Sequence, residues 1–352
     1  MFRLCSVLSN HFQVYVTCPN ETPYWERFVS LIGQDRMIEI PHRKFSLPGL
    51  FHLIRFIIAH DISIVHSHGK GAGIYGRLLS LFLNRPCVHT FHGIHINQYS
   101  RLFRLIYINL ERFLSWFTSR LVAVSHGEYA MIRKLRLCNP QKLVVIENGV
   151  DIPLQIIDGK ALFAKEKLIV LTMSRFNYQK NTELLIPIIQ QIEAHQRLDR
   201  FQFVILGSGE NQARLQAEVN KLNIGADLIF QGAVDNPQDY LKSSFCYLST
   251  SRWEGLPLSV IEAMSFGLPI IATDVVGNND LVVHGKNGFL YNLANPEDAA
   301  MYLLQLADDF ELWQKFSVTA KDNVIKRFSL KQMASKIEIE YINLIRGGAI
   351  TE

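Results

Sequence analysis

Short runs rich in β-branched and aromatic residues alternate with helix-length amphipathic stretches over nearly all of the 352 residues. Strands with a helix between each pair are joined most simply in parallel, and a parallel sheet must be covered by helices on both faces. In the first half the strands are expected at 13–18, 37–40, 62–66, 86–91, 120–124 and 143–146. In the second they are expected at 168–173, 201–206, 228–230, 245–248 and 270–272. One hydrophobic core stops growing before a chain reaches this length. The expectation is therefore an α/β protein of two doubly wound domains, 1–150 and 151–328, followed by a terminal helix over 329–352 that can pack back on the first domain.

The start of the chain breaks this pattern. Residues 1–10 read as helix and lead straight into the strand at 13, whereas a doubly wound sheet opens on a central strand and a Gly-rich turn. The first domain is expected to lack that strand and loop. Either the reading frame begins about twenty residues upstream, or the product is poorly stable and weakly active.

A composition of 48% hydrophobic and 19% charged residues excludes disorder and leaves a surface thin in charge, open to an apolar or membranous partner. The net charge of +4 is too small to argue for nucleic acid, and no nucleic-acid signature is present. Its distribution says more. Residues 62–110 hold no Asp or Glu but contain Lys70, Arg77, Arg85, Arg101, Arg104 and five histidines, so positive potential is expected there. Cys5, Cys18, Cys87, Cys138 and Cys246 lack the spacing of a zinc site or disulfide framework and fit a reducing cytoplasm. The opening apolar stretch is too short for a secretory signal, and charges or histidines interrupt every long apolar run.

The strongest constellation is STSRWEGLPLSVIE, residues 249–262, after an apolar strand. Pro257 suits the first turn of a helix, and the amides of Gly255, Leu256 and Leu258 would then form an anion site at the helix start. Glu254 can accept hydrogen bonds from sugar hydroxyls and Glu262 can hold a ribose diol; the plain alternative is a surface loop with two solvated glutamates. Upstream, Arg175 and Lys180 flank a turn and can converge on a diphosphate, Arg as a fork and Lys as a point charge. Gly207 and Gly209 follow the next strand, where glycine lets a backbone approach a ligand.

In this order the pieces resemble glycosyltransferase family 4, retaining enzymes of cell-surface polysaccharide synthesis with the GT-B fold. The resemblance rests on Glu254 and Glu262 eight apart, the Arg175 and Lys180 pair, the Gly207-Ser-Gly209 loop, the stretch IENGVD at 146–151 and Thr90-Phe-His-Gly93. It implies two Rossmann-like domains facing a cleft, with Arg175 and Lys180 on the donor diphosphate. Glu254 and the amides after it would hold the donor sugar, and Glu262 the ribose. His92 would sit near the reacting carbon, with His68 and Asn148 on the acceptor side. A strand-end histidine bonded to a backbone carbonyl is the plain reading of His92.

The His66-x-His68 pair could suggest a metal. The two rings are expected on opposite faces of their strand, and no acidic ligand lies near, so no metal site is expected. No Asp-x-Asp pair occurs anywhere. No cofactor is expected either, a nucleotide-diphosphate sugar being the substrate. Gly71, Gly73 and Gly76 fit G-x-G-x-x-G, but the acidic residue of a dinucleotide site is missing, since no acid precedes Glu111 after residue 61. Close packing, with a possible acceptor-phosphate contact, fits these glycines better than a dehydrogenase. Residues 101–120, RLFRLIYINLERFLSWFTSR, mix arginines and rings on one helix, suiting either a membrane surface or core packing.

The expected reaction is transfer of a sugar from a nucleotide-diphosphate donor to a hydroxyl acceptor with retention. The acceptor is expected to be a glycan or lipid-linked glycan, at the cytoplasmic face of the membrane. A non-hydrolysing sugar-nucleotide epimerase and a truncated, non-catalytic binding protein are the alternatives.

Overall fold

The computed structural model describes residues 1–348 except 43, 95, 97, 155–156, 223 and 225–226. His95, the end of the His92 motif in the sequence, lies outside the described residues. Contacts divide the chain into unit 1, Met1–Asn148 with Leu330–Glu352, and unit 2, Gly149–Ser329.

Unit 1 contains helices α1 (Phe2–Leu8), α2 (Tyr24–Ile32), α3 (Leu47–Ala59), α4 (Gly69–Leu83), α5 (Arg101–Trp116) and α6 (His126–Leu135). Its strands are β1 (Val16–Cys18), β2 (Met37–Glu39), β3 (Val65–His68), β4 (Cys87–Thr90), β5 (Arg120–Ala123) and β6 (Leu143–Val145). They form two parallel sheets, β1-β2 and β3-β4-β5-β6, and no strand among the described residues joins β1 to β3. Strand β3 runs through His68, two residues beyond the expected end.

Unit 2 holds β7 (Leu168–Met173), β8 (Phe201–Leu206), β9 (Leu228–Gly232), β10 (Cys246–Ser249), β11 (Ile270–Thr273) and β12 (Gly288–Tyr291). The last was not anticipated: GFLY is short, opens on glycine and follows a polar turn. Helices α7 (Gly159–Phe163), α8 (Leu185–Ala194), α9 (Gln212–Lys221), α10 (Gln238–Ser243), α11 (Leu258–Ser265), α12 (Asn278–Leu281), α13 (Pro296–Asp308) and α14 (Phe310–Arg327) accompany them. The six strands make one parallel sheet in the order β12-β11-β10-β7-β8-β9. β7, LIVLTM, reads as a nearly continuous apolar run because helices cover both faces of a central parallel strand.

The final helix, α15 (Leu330–Gly348), belongs to unit 1 and packs against α1. Ala334, Ile337 and Tyr341 share a core cluster with Leu4, Leu8, Val88, Val122 and Ile146. The unit 2 core is more continuous. One cluster spans residues from Leu162 to Phe316, with Trp313 anchored by an Nε1–H bond of 2.7 Å to the Phe245 carbonyl.

Candidate active site

In unit 2 the loops after β7, β8 and β10 meet at the C-terminal edge of the sheet. The three strands are neighbours, and the order reverses at β7, with β8 on one side and β10 on the other. That is where open parallel sheets form a ligand crevice.

Glycine sets how closely these loops approach. Gly207 has φ of 138°, and a Cβ on it would lie 1.9 Å from the Ser174 carbonyl oxygen; one on Gly209 would lie 2.5 Å from that of Phe176. The Ser174 amide donates to the Leu206 carbonyl at 2.9 Å, and the Phe176 amide to that of Ser208 at 3.2 Å. These glycines admit the neighbouring loop's backbone.

The β7 and β10 loops are laced together. The Arg252 amide donates to the Gln179 carbonyl at 2.8 Å, Gln179 Nε2 to that of Trp253 at 3.1 Å, and Thr250 Oγ1 to that of Lys180 at 2.8 Å. Across this seam Lys180 Nζ lies 2.5 Å from Glu254 Oε1, and Ser251 Oγ donates to the same oxygen at 2.7 Å. The two side chains are 16% and 7% exposed, so Glu254 is not the solvated glutamate of the plain reading. Lys180 is committed to Glu254 rather than held beside Arg175. Arg175 is exposed, and its guanidinium makes no hydrogen bond or ion pair among the described residues.

Helix α11 starts one residue later than expected. Pro257 is its N-cap, with φ −71° and ψ 115°, and its carbonyl accepts from the Val260 and Ile261 amides. Gly255 and the buried Leu256 therefore precede the helix, and of the three expected amides only that of Leu258 belongs to its first turn. The Gly255, Leu258 and Ser259 amides make no hydrogen bond among the described residues. Glu262, half-buried, lies just over one turn into the helix. The positive end of α11 and unbonded amides thus stand beside an acid–base pair.

In unit 1 the histidines gather at the C-terminal ends of β3 and β4. Residues two apart on a strand share a face, so His66 and His68 lie together, their rings stacked at 4.0 Å. This corrects their expected separation. His68 Nδ1 lies 2.9 Å from His92 Nε2, and His66 bonds through Nε2 to Thr90 Oγ1 at 2.8 Å and through Nδ1 to the Tyr341 hydroxyl at 2.5 Å. Burial, the His92 imidazole and the N-terminal ammonium push His66 down to about 3, and crowding by protein pushes His92 down to about 4 although the residue is exposed. Burial holds His68 and His89 well below the usual imidazole range too. All four rings are neutral at pH 7.

His92 has φ of 60°, a left-handed conformation that costs a non-glycine residue of its kind about 1 kcal/mol or more. Glu128, buried at the start of α6, holds the turn by accepting from the Gly93 amide and, at 2.8 Å, from the Val124 amide. Asn148 is half-buried at the end of the first segment of unit 1. Gly71, Gly73 and Gly76 lie inside α4, not in a phosphate-binding turn before it. A Cβ on Gly73 or Gly76 would come within 2.6 Å of His89 or Ser67, so these two are close-packing residues. Arg77 does not add to a positive surface: it is buried with Glu111, 2.6 Å from that carboxylate, and its Nε donates to the Gly73 carbonyl.

The model of Glycosyltransferase Family 4 matches residues 1–153, and that of Glycosyl transferases group 1 matches residues 155–323. A UDP-Gal:alpha-D-GlcNAc-diphosphoundecaprenol alpha-1,3-galactosyltransferase of Escherichia coli is 29% identical, over 85% of this chain and 80% of that protein. The putative glycosyltransferase EpsD of Bacillus subtilis is 24% identical over 92% of each. HepE of Anabaena, solved with UDP-glucose, superposes with a TM-score of 0.82 over 97% of this chain and 94% of that one, at 18% identity. The chain is a GT-B glycosyltransferase.

Two features of this glycosyltransferase escaped the sequence reading. Glu128 is one glutamate among many until folding sets the His92-Gly93 turn beside it. Gly277 (φ 90°) has no motif around it, yet a Cβ there would lie 2.8 Å from both Glu254 Cβ and the Gly255 carbonyl. The glycosyltransferase's cysteines are all free; burial pushes the Cys5 and Cys138 thiols up to about 11 and Cys87 up to about 12, leaving these three protonated at pH 7.

Proposed function

We propose that this enzyme transfers a hexosyl group, with retention, from a nucleotide-diphosphate sugar to a hydroxyl of a lipid-linked glycan intermediate in surface-polysaccharide synthesis. One observation carries the donor assignment. At the strand-order reversal of the unit 2 sheet, an unpaired Arg175, the start of α11 and the Lys180–Glu254 pair stand together. An incoming diphosphate draws Lys180 and Arg175 to itself, and Glu254, released from its ion pair, accepts hydrogen bonds from the sugar hydroxyls. Glu262 holds the ribose. The Gly255 and Leu258 amides face the anion. His92 is assigned to the reacting sugar, and His68 and Asn148 to the acceptor side, by the family resemblance.

In the transfer, the bond from the anomeric carbon to the diphosphate oxygen breaks and a bond to the acceptor oxygen forms on the same face. The acceptor's proton leaves with the diphosphate. The cations and oriented amides meet the charge that develops on the leaving group, so the reaction needs no metal and no cofactor.

The lipid-linked acceptor is supported by the printed activity of the Escherichia coli relative and by the surface of unit 1. No helix among the described residues is long and apolar enough to cross a membrane. Yet residues 101–106 of α5 are all exposed, and Phe103, Ile106, Phe113 and Trp116, the last 74% exposed, offer large apolar groups beside Arg101 and Arg104. Phe82 of α4, which packs on α5, and Phe51 of α3, which packs on α4, are exposed as well. Core packing does not occupy this helix face. We assign it to the inner face of an anionic membrane.

The test is a screen of nucleotide sugars by thermal shift, then transfer to polyprenyl-diphosphate glycans with and without chelator. A donor that raises the melting temperature and is turned over with retention, undiminished by chelator, is the expected result. Inversion, or activity abolished by chelator and restored by magnesium or manganese, overturns the mechanism. Flotation on phosphatidylglycerol vesicles tests the surface. Each arginine contributes about 1 kcal/mol near such a membrane, so Arg101→Glu with Arg104→Glu should lower binding by at least about 30-fold. Equal binding by the double variant removes α5 from the interface.

A further inference from the structure

We infer that His68 is a positioning residue which fixes His92 in one tautomer, with its proton on Nδ1, and so makes His92 a hydrogen-bond donor to a ligand oxygen. The inference rests on the glycosyl-transfer reading for the identity of that ligand. The tautomer itself follows from unit 1 alone.

A neutral imidazole carries one N–H and one lone pair. The 2.9 Å contact between His68 Nδ1 and His92 Nε2 contains one proton, and there are two ways to supply it. If His92 Nε2–H donates, then the proton of His68 must sit on its Nε2. That atom is buried and has no hydrogen-bond partner among the described residues. A buried donor left unmade costs about 1–3 kcal/mol. If instead His68 Nδ1–H donates, the buried Nε2 is a bare lone pair. Orphaned donors are the rarer of the two in folded proteins, so His68 is the donor and His92 Nε2 the acceptor.

His92 is then left with its proton on Nδ1. That nitrogen makes no hydrogen bond among the described residues, and the residue is exposed. Its Nε2 is already occupied by His68, so His92 cannot take a proton there without breaking the pair. The chemistry open to it is donation of one directed hydrogen bond to a neutral oxygen.

The surroundings hold this arrangement in place. The His68 ring lies between those of His66, at 4.0 Å, and His92, at 5.2 Å. His66 is bonded at both nitrogens, to Tyr341 of α15 and to Thr90. The left-handed backbone of His92 is tolerated because Glu128 grips the next amide. Strain retained in this way, at a residue pointing an unsatisfied donor outward, suits a ligand contact better than a packing role.

Nitrogen-15 NMR of the histidine rings in the full-length protein at pH 7.5, without substrate, tests the tautomer directly. The expected spectrum shows His92 protonated at Nδ1 and bare at Nε2, and His68 likewise. A His92 resonance protonated at Nε2 overturns the proposal whatever the activity. His68→Asn places an amide N–H where Nδ1 stood and should keep the Nδ1–H tautomer of His92. His68→Phe removes the donor and should release His92 to a mixture of tautomers, with kcat lower by roughly tenfold or more and donor KM little changed. A His68→Phe protein that is folded, retains the Nδ1–H tautomer of His92 and has normal kcat also overturns it. If no nucleotide sugar is turned over by the wild type, the transfer reading fails while the NMR result still decides the tautomer.

Discussion

Units 1 and 2 are each built on six parallel strands, but among the described residues only unit 2 joins its six in one sheet. In unit 2 the sheet runs third, second, first, fourth, fifth, sixth, with β7 at its centre; in unit 1, β2 and β1 stand as one sheet and β3 to β6 as another. Where β7 lies between β8 and β10, no described strand lies between β1 and β3. The cores follow suit. Unit 2 has a cluster reaching from α7 to α14, whereas the buried apolar residues of unit 1 fall into smaller groups. A central parallel strand does more than add its own hydrogen bonds: Leu168 and Val170 of β7 carry the apolar layer on one face of the sheet across its middle. Unit 1 makes up for it in part through α15, whose Tyr341 reaches both the core cluster and His66.

Substitutions that push on the shared edge of the unit 2 sheet should show the largest effects. Gly207→Ala sets a Cβ against the Ser174 carbonyl at a positive φ, and neither backbone can yield without parting the β7 and β8 loops. A loss of at least about 3 kcal/mol is expected, with transfer abolished. Denaturation of the purified variant measures it, and wild-type stability would mean that the loops do not rely on that close approach.

Next come the two basic residues, which separate stability from chemistry. Lys180→Ala leaves Glu254 buried without its partner, so about 3 kcal/mol of stability should go together with turnover. Arg175→Ala removes an exposed, unpaired group. It should leave stability within about 0.5 kcal/mol while lowering kcat on the order of 100-fold. Melting curves beside steady-state rates distinguish the two; normal turnover by both variants at saturating donor would dismiss the donor assignment.

Acid should act on unit 1. His66 and His92 have folded values of about 3 and about 4, below the ordinary 6.5, so between these limits the unfolded chain binds more protons than the native one. The stability they contribute is complete above 6.5 and is lost as pH falls through 6.5 toward 4 and then 3. His92, being exposed, contributes the smaller part. Amide exchange at pH 7.5 and at pH 5 should show protection falling in β3 and β4 more than in β7 and β8. Equal loss in both sheets would break the contrast between the units.

The smallest effect is expected at Gly71, on α4. A Cβ there meets nothing within 4 Å, so Gly71→Ala should be neutral or stabilise by up to about 1 kcal/mol. Gly73→Ala on the same helix meets His89 and Arg77 and should destabilise. If the two shift the melting temperature alike, close packing of α4 on β4 is not what keeps glycine at 73.

By itself the sequence determined the architecture, because strand and helix periods are local and survive without knowledge of partners. The alternation of runs, the helical reading of residues 1–10 and the strand set up to β11 could all be taken from it. It also determined which residue types stand near the unit 2 sheet edge, since a loop after a parallel strand has only one edge at which to emerge. Pairing was decided by the tertiary structure. That Lys180 meets Glu254, that Arg77 is neutralised by Glu111 34 residues away, and that Gly207 faces the Ser174 carbonyl depend on loops distant in sequence. The same holds for the stack of His66, His68 and His92, and for Glu128 beneath the His92 turn: side-chain hydrogen bonds and ion pairs act over about 3 Å, and only folding brings such groups within that distance.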